Sequence, residues 1–174
     1  MTLPLHRSVM NGSTARRFAR SSVTRKDKEV IDFFVAFSRF EFALKECRFI
    51  CRGEDAKPDW DCFARHLDAT TGDLYTLCPA LRAEIDELVA APPMVQVHDD
   101  GVLRWVDRNL RDASNLTLTR YLRRIRNNLF HGAKESLTCR DRWFVHIGLD
   151  IIDQLLEMNE DVRREFLRSL PTED

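Results

Sequence analysis

The chain has 174 residues, 44% hydrophobic and 32% charged, which suits one globular domain with a real core. A net charge of -1 argues against coating nucleic acid by bulk charge and leaves room only for a local basic patch. No apolar run reaches the ~18 residues of a membrane span, and the opening MTLPLHRSVMNG lacks a secretory apolar core. The five cysteines are therefore expected as reduced thiols in a cytoplasm.

Residues 1–25 are polar and basic, with Arg7, Arg16, Arg17, Arg20 and Arg25 among Ser, Thr and Gly, and read as a flexible N-terminal extension. Residues 26–174 form the expected helical domain. Residues 26–51 predict the longest helix, with Val30, Phe33, Phe37, Phe40, Leu44, Cys47 and Cys51 as a heptad-like seam. Ile31, Phe34, Val35 and Phe42 widen its apolar surface, so the helix needs cover from its own chain or from a second protomer. Glu41 lies among these residues and needs a partner; Lys45 one turn on and Arg126 are the two candidates.

Residues 53–58 read as a turn, and residues 59–69 as a short helix with Trp60, Phe63, Ala64 and Leu67 inward. Residues 73–91 carry Leu74, Leu77, Leu81, Ile85 and Leu88 at helical spacing, with Pro79 set to kink or divide them. Val95 to Val97 predict a brief extended segment, and residues 102–110 a short helix with Leu103, Val106 and Leu110 on one side. Residues 115–134 predict a helix with Leu118, Leu122, Ile125 and Leu129 inside a stripe about 40° wide. Ser114 or Asn115 fits its cap, and Gly132 fits the left-handed stop. Residues 140–158 follow with Phe144, Ile147, Ile151, Leu155 and Met158, then residues 161–170 with Val162, Phe166 and Leu170. The expected fold is an all-α bundle of about four principal helices plus short ones.

Two constellations carry chemistry. Cys47 and Cys51, with Cys62 and His66 one turn apart on the next helix, offer four zinc-type ligands, although their spacing is that of no standard finger and the seam position suits small buried thiols. The second lies beside the 118–129 seam, where Arg123, Arg126, Asn127, Phe130 and His131 occupy an arc of about 140°. A guanidinium, an amide and an imidazole on one face form an anion-handling set, and the negative end of the helix dipole favours a protonated imidazole. An ordinary polar helix face gives the same spacing.

The run RIRNNLFHG, from Arg124 to Gly132, resembles the signature of the HEPN family: an Arg, four to six residues, then a His, with a polar residue after the Arg. Here the spacing is four and Asn127 takes the polar position. The resemblance extends over about residues 26–170 and implies an HEPN-like helical fold. It implies metal-independent RNA cleavage or RNA binding without a cofactor, with Arg126 and His131 catalytic. Asn127, Asn128, Glu41, Arg123 and Lys134 would support them. It further implies a homodimer with a composite site, and an antitoxin or other defence-system protein as partner. One toxin subgroup of the family carries, just beyond the His, a Tyr that antitoxins modify; here Gly132 and Ala133 follow His131, so the resemblance does not extend to that regulation. A non-catalytic helical interaction module is the other function this sequence suits.

Overall fold

The computed structural model describes residues 28–53, 55–130 and 137–168. The basic extension, His131, Gly132, Lys134 and Leu170 lie outside the described residues. In chain order the elements are α1 (Lys28–Glu46), α2 (Trp60–Thr70), α3 (Leu74–Leu77), a 3-10 turn (Pro79–Leu81) and α4 (Arg82–Ala90). Then come β1 (Val95–Asp99), β2 (Val102–Val106), α5 (Asn115–Phe130), α6 (Cys139–Glu157) and α7 (Glu160–Leu167). The fold is predominantly helical, and one antiparallel hairpin corrects the all-α expectation.

The hairpin replaces the short helix expected over residues 102–110. Asp100 and Gly101 have φ of 46° and 80°, the left-handed pair that a two-residue hairpin turn requires. They set Val95 opposite Val106 and Asp99 opposite Val102. β-Branched valines at both ends of the ladder favour the extended form over a single helical turn.

α1 packs against α6 and α7, while α2 packs against α5. Phe33, Phe37, Phe40 and Leu44 are buried as the seam predicts. Each enclosed phenyl contributes about 2–3 kcal/mol by burial. The helix stops at Glu46, short of the expected Cys51. Arg48 takes the left-handed conformation (φ 67°), Phe49 N–H donates to Leu44 O at 2.9 Å, and Arg48 N–H donates to Lys45 O at 3.0 Å. That is a Schellman stop with Arg where Gly is usual, so the sequence carries no visible break.

Elsewhere the caps are conventional. Asp59 accepts from Cys62 N–H, Asn159 from Val162 N–H, and Thr138 forms a reciprocal capping box with Asp141 at the start of α6. Trp60, Phe63, Ala64 and Leu67 are all buried. Pro79 does divide the 73–91 segment, and Leu77 is consequently out of phase and 50% exposed.

Candidate functional site

α5 is fixed first at its N-terminus. Ser114 Oγ accepts from Thr117 N–H at 3.2 Å, and Asp112 Oδ1 accepts from the Ser114 N–H and from both the Ser114 and Thr117 hydroxyls. Burial alone would raise the Asp112 carboxyl, but these hydrogen bonds outweigh it and hold the group below its ordinary value. Asn115, the other cap candidate, instead turns its side chain onto the α2–α3 connection. Leu118, Tyr121, Leu122 and Ile125 are buried, and Leu129 packs at the edge of the core. The Tyr121 hydroxyl is satisfied there, accepting from Leu110 N–H and donating to Asn109 Oδ1.

This seam sends the arginines to separate flanks. Arg120 and Arg123 face α2, where Arg120 Nη2 lies 2.8 Å from Asp61 Oδ2 and Arg123 Nη1 lies 3.6 Å from Asp61 Oδ1. Arg126 continues that flank. Its guanidinium carbon sits 5.8 Å from the centroid of the Phe37 ring, and its Nη1 donates to Asn127 Oδ1 at 3.0 Å. Phe37 in turn stacks on Trp60 at 5.2 Å, and Trp60 Nε1 donates to Glu41 Oε1 at 3.3 Å. The indole, rather than Lys45, is thus the hydrogen-bond partner found for Glu41. A half-buried carboxylate, an aromatic stack and three guanidiniums therefore lie along one edge of the α1–α2–α5 junction.

Arg124 goes the other way, over the Tyr121 ring at 5.2 Å with Nη1 on Arg108 O at 2.7 Å. Asn128 also leaves the Arg126 flank, donating through Nδ2 to Met94 O at 2.8 Å. The structure thus brings Arg123, Arg126, Asn127 and Glu41 to one junction and places Asn128 on the hairpin side. Trp60 and Asp61, which complete that junction, were not singled out from the sequence as site residues. Their adjacency in the first turn of α2 was the only available signal, and pairing them with α5 is a tertiary fact.

The zinc-type set is dispersed. Cys51 lies beyond the end of α1, with its thiol 3.7 Å from Pro58 O, and Cys51, Cys62 and His66 are exposed. The His66 ring rests against Phe49 at 5.3 Å. Among the described residues no group of three or more His, Cys, Asp or Glu side chains is gathered as metal ligands would be. Nor is any described helix long and apolar enough to cross a membrane.

No protein-family model, curated protein or solved structure matches this chain.

Proposed function

We propose that the chain is an HEPN-type protein that binds RNA and cleaves it without a metal, acting as a homodimer in the cytoplasm. One observation supports this above the others: Arg126 is held at the end of α5 over Phe37, its Nη1 on Asn127, and continues the arginine flank of Arg120 and Arg123. The resemblance of the Arg126-to-His131 run to the HEPN signature supplies the chemistry. The RNA 2′-oxygen attacks the adjacent phosphorus, and the bond to the 5′-oxygen breaks. His131 takes the 2′-proton or returns one to the leaving 5′-oxygen, and a cyclic phosphate and a 5′-hydroxyl result. Arg126 binds the non-bridging phosphate oxygens and stabilises the charge that grows on them. Asn127 orients the guanidinium that it already accepts from.

A composite site across two protomers fits the outer face of α1. Ile31, Phe34 and Val35 lie at helical spacing and are 44%, 41% and 60% exposed. An antitoxin or other defence-system protein is the partner class that belongs to this reading. A second reading, a non-catalytic interaction module, is favoured by Asp61, which already draws two of the three arginines into its own field.

The deciding experiment is a cleavage assay on mixed single-stranded RNA in EDTA, with Arg126→Ala and His131→Ala beside the native protein. Cleavage that persists in chelator and falls about 100-fold or more in well-folded His131→Ala supports the nuclease. Native-level cleavage by that variant, or cleavage that needs added magnesium, sinks it. RNA binding without cleavage in the native protein leaves the interaction module.

A further inference from the structure

The hairpin, the end of α4, the last turns of α5 and the start of α6 surround a cavity of about 590 Å³. That is the size of a small-molecule site, roughly 300–1,000 Å³ in proteins generally. Among the described residues its walls are chiefly apolar, with Met94 and Trp105 on the hairpin side and Ile125, Leu129 and Phe144 on the helices. Met94 is 46% exposed and Trp105 37%, so two large apolar side chains of the wall still meet water. An apolar occupant would take that surface out of water.

The charged groups of this lining are already answered by the protein. Arg140 donates to the Glu87 carboxylate and to Ala91 O, and its guanidinium carbon lies 3.9 Å from the centroid of the Trp143 ring and 4.7 Å from that of Phe144. One cation thus ties α4 to α6 and rests on two rings. The Asp141 carboxylate accepts from the Thr138 N–H and hydroxyl in the α6 capping box. Asp107 lies past the end of β2, exposed to water and in the field of Arg124. A charged ligand would therefore meet no uncommitted counter-charge among the described residues of the lining, and would give up its hydration without return. Asn128, which donates to Met94 O, ties α5 to the base of the hairpin. These same bonds hold the walls in place, as a preformed site requires.

We propose that this cavity binds a neutral, ring-bearing apolar molecule of drug-like size. Its rings lie against Trp105 and Phe144, and its apolar body contacts Met94, Ile125 and Leu129. Aromatic rings favour offset or edge contact with such walls, and a thioether adapts to the shape between them. Apolar burial supplies the affinity, and the answered charges of the lining set the preference for a neutral molecule over either ion. The site is separate from the arginine flank, which lies on the α2 side of α5, and does not depend on whether RNA is cleaved there.

The test is titration of the full chain at neutral pH with probes of one shape and different charge, followed by fluorescence polarisation. The neutral probe is anthracenemethanol, the anion anthracenecarboxylate and the cation aminoacridinium. Anthracenemethanol is expected to saturate one site and to bind about tenfold or more tighter than either ion. Trp105→Ala, which removes a wall, should weaken it about three- to tenfold. Ala91→Trp, which adds an indole at a lining position, should weaken it about tenfold or more by filling the space. Trp105 and Ala91 are exposed, so both variants should keep the native circular dichroism. Leu167→Ser, at an exposed apolar residue of α7, should leave binding unchanged. No saturable binding of anthracenemethanol, equal or tighter binding of either ion, undiminished binding in both cavity variants, or an equal loss in Leu167→Ser overturns the proposal.

Discussion

Asn115 tests how α5 is set in place. Its side chain is fully buried and makes three hydrogen bonds to other elements. Nδ2 donates to Asp68 Oδ1 at 2.7 Å and to Gly72 O at 2.9 Å, and Oδ1 accepts from Leu74 N–H at 3.0 Å. Leu74 N–H is the first amide of α3 and has no partner within that helix. Asn115→Leu would strand it beneath a fully buried residue, at about 1–3 kcal/mol for the desolvated donor. Loss of the bond to the half-buried Gly72 carbonyl adds about 1 kcal/mol, while the exposed Asp68 is free to turn to water. The sum is about 2–4 kcal/mol, or a melting point lower by about 4–16 °C for a chain of this size. Asn115→Asp separates donors from shape. It keeps the acceptor for Leu74 but sets a second carboxylate against Asp68, so its loss should be largest at pH 7. It should shrink on acidification toward about pH 4, as the pair comes to share a proton. The assay is thermal unfolding of both variants at pH 7 and pH 4.5. A loss under about 1 kcal/mol for Asn115→Leu, or a pH-independent loss for Asn115→Asp, would refute this role for the Asn115 side chain.

Four further outcomes are expected. A Cβ at Gly148 would lie 2.7 Å from Cε2 of the fully buried Phe33, so Gly148→Ala should cost about 1–3 kcal/mol in a melt, and an unchanged melting point would refute so close an α1–α6 contact. Gly101 has φ of 80° and open space around it, so Gly101→Ala should cost only the backbone strain, about 1 kcal/mol by denaturant titration; a loss above ~3 kcal/mol would mean that the turn is packed. The depressed Asp112 carboxyl contributes stability above its unfolded value of about 3.9 and loses it as pH falls through the lower folded value. The penalty of Asp112→Asn should therefore be present at pH 7 and vanish in acid, and equal penalties at both would count against that account. Val35→Asp should convert a dimer to a monomer by light scattering without lowering helicity, and a dimer that survives it must use another face.

Where burial and capping are local, the sequence was legible. Every inward residue expected in α2 is buried behind the Asp59 cap; Leu118, Leu122 and Ile125 of α5 and Ile147, Ile151 and Leu155 of α6 are buried where periodicity puts them, while Leu129, Phe144 and Met158 lie half-buried at the margins. The misreadings share a cause: a non-glycine residue or a short turn doing what a stronger signal usually marks. Arg48 ends α1 in the left-handed region without a glycine, so the seam seemed to run on to Cys51. The Asp100-Gly101 pair was a real hairpin signal, but the flanking segments are too short and too mixed in polarity to alternate cleanly. At the candidate site, Arg126, Asn127 and Arg123 were legible as neighbours on one helix. The indole on Glu41, the ring under Arg126 and the carboxylate shared by Arg120 and Arg123 all come from other helices. Periodicity within one helix carries no record of them.

The seam of α5 explains why its two sides can differ so sharply in chemistry. Leu118, Leu122 and Ile125 bury the middle of the helix and leave its polar residues nowhere to lie but the two margins. On one margin, facing α2, guanidiniums outnumber the Asp61 carboxylate that meets them. On the other, facing the hairpin, Asn128 donates to Met94 O and Arg124 lies over the Tyr121 ring with Nη1 on Arg108 O. One helix thus carries a guanidinium-rich edge toward α2 and hydrogen bonds to the hairpin side on its opposite margin. A seam substitution such as Ile125→Ala should disturb both margins by shifting the helix, at a cost of about 2–5 kcal/mol in a melt, and an unchanged melting point would mean that the seam does not hold the helix in place.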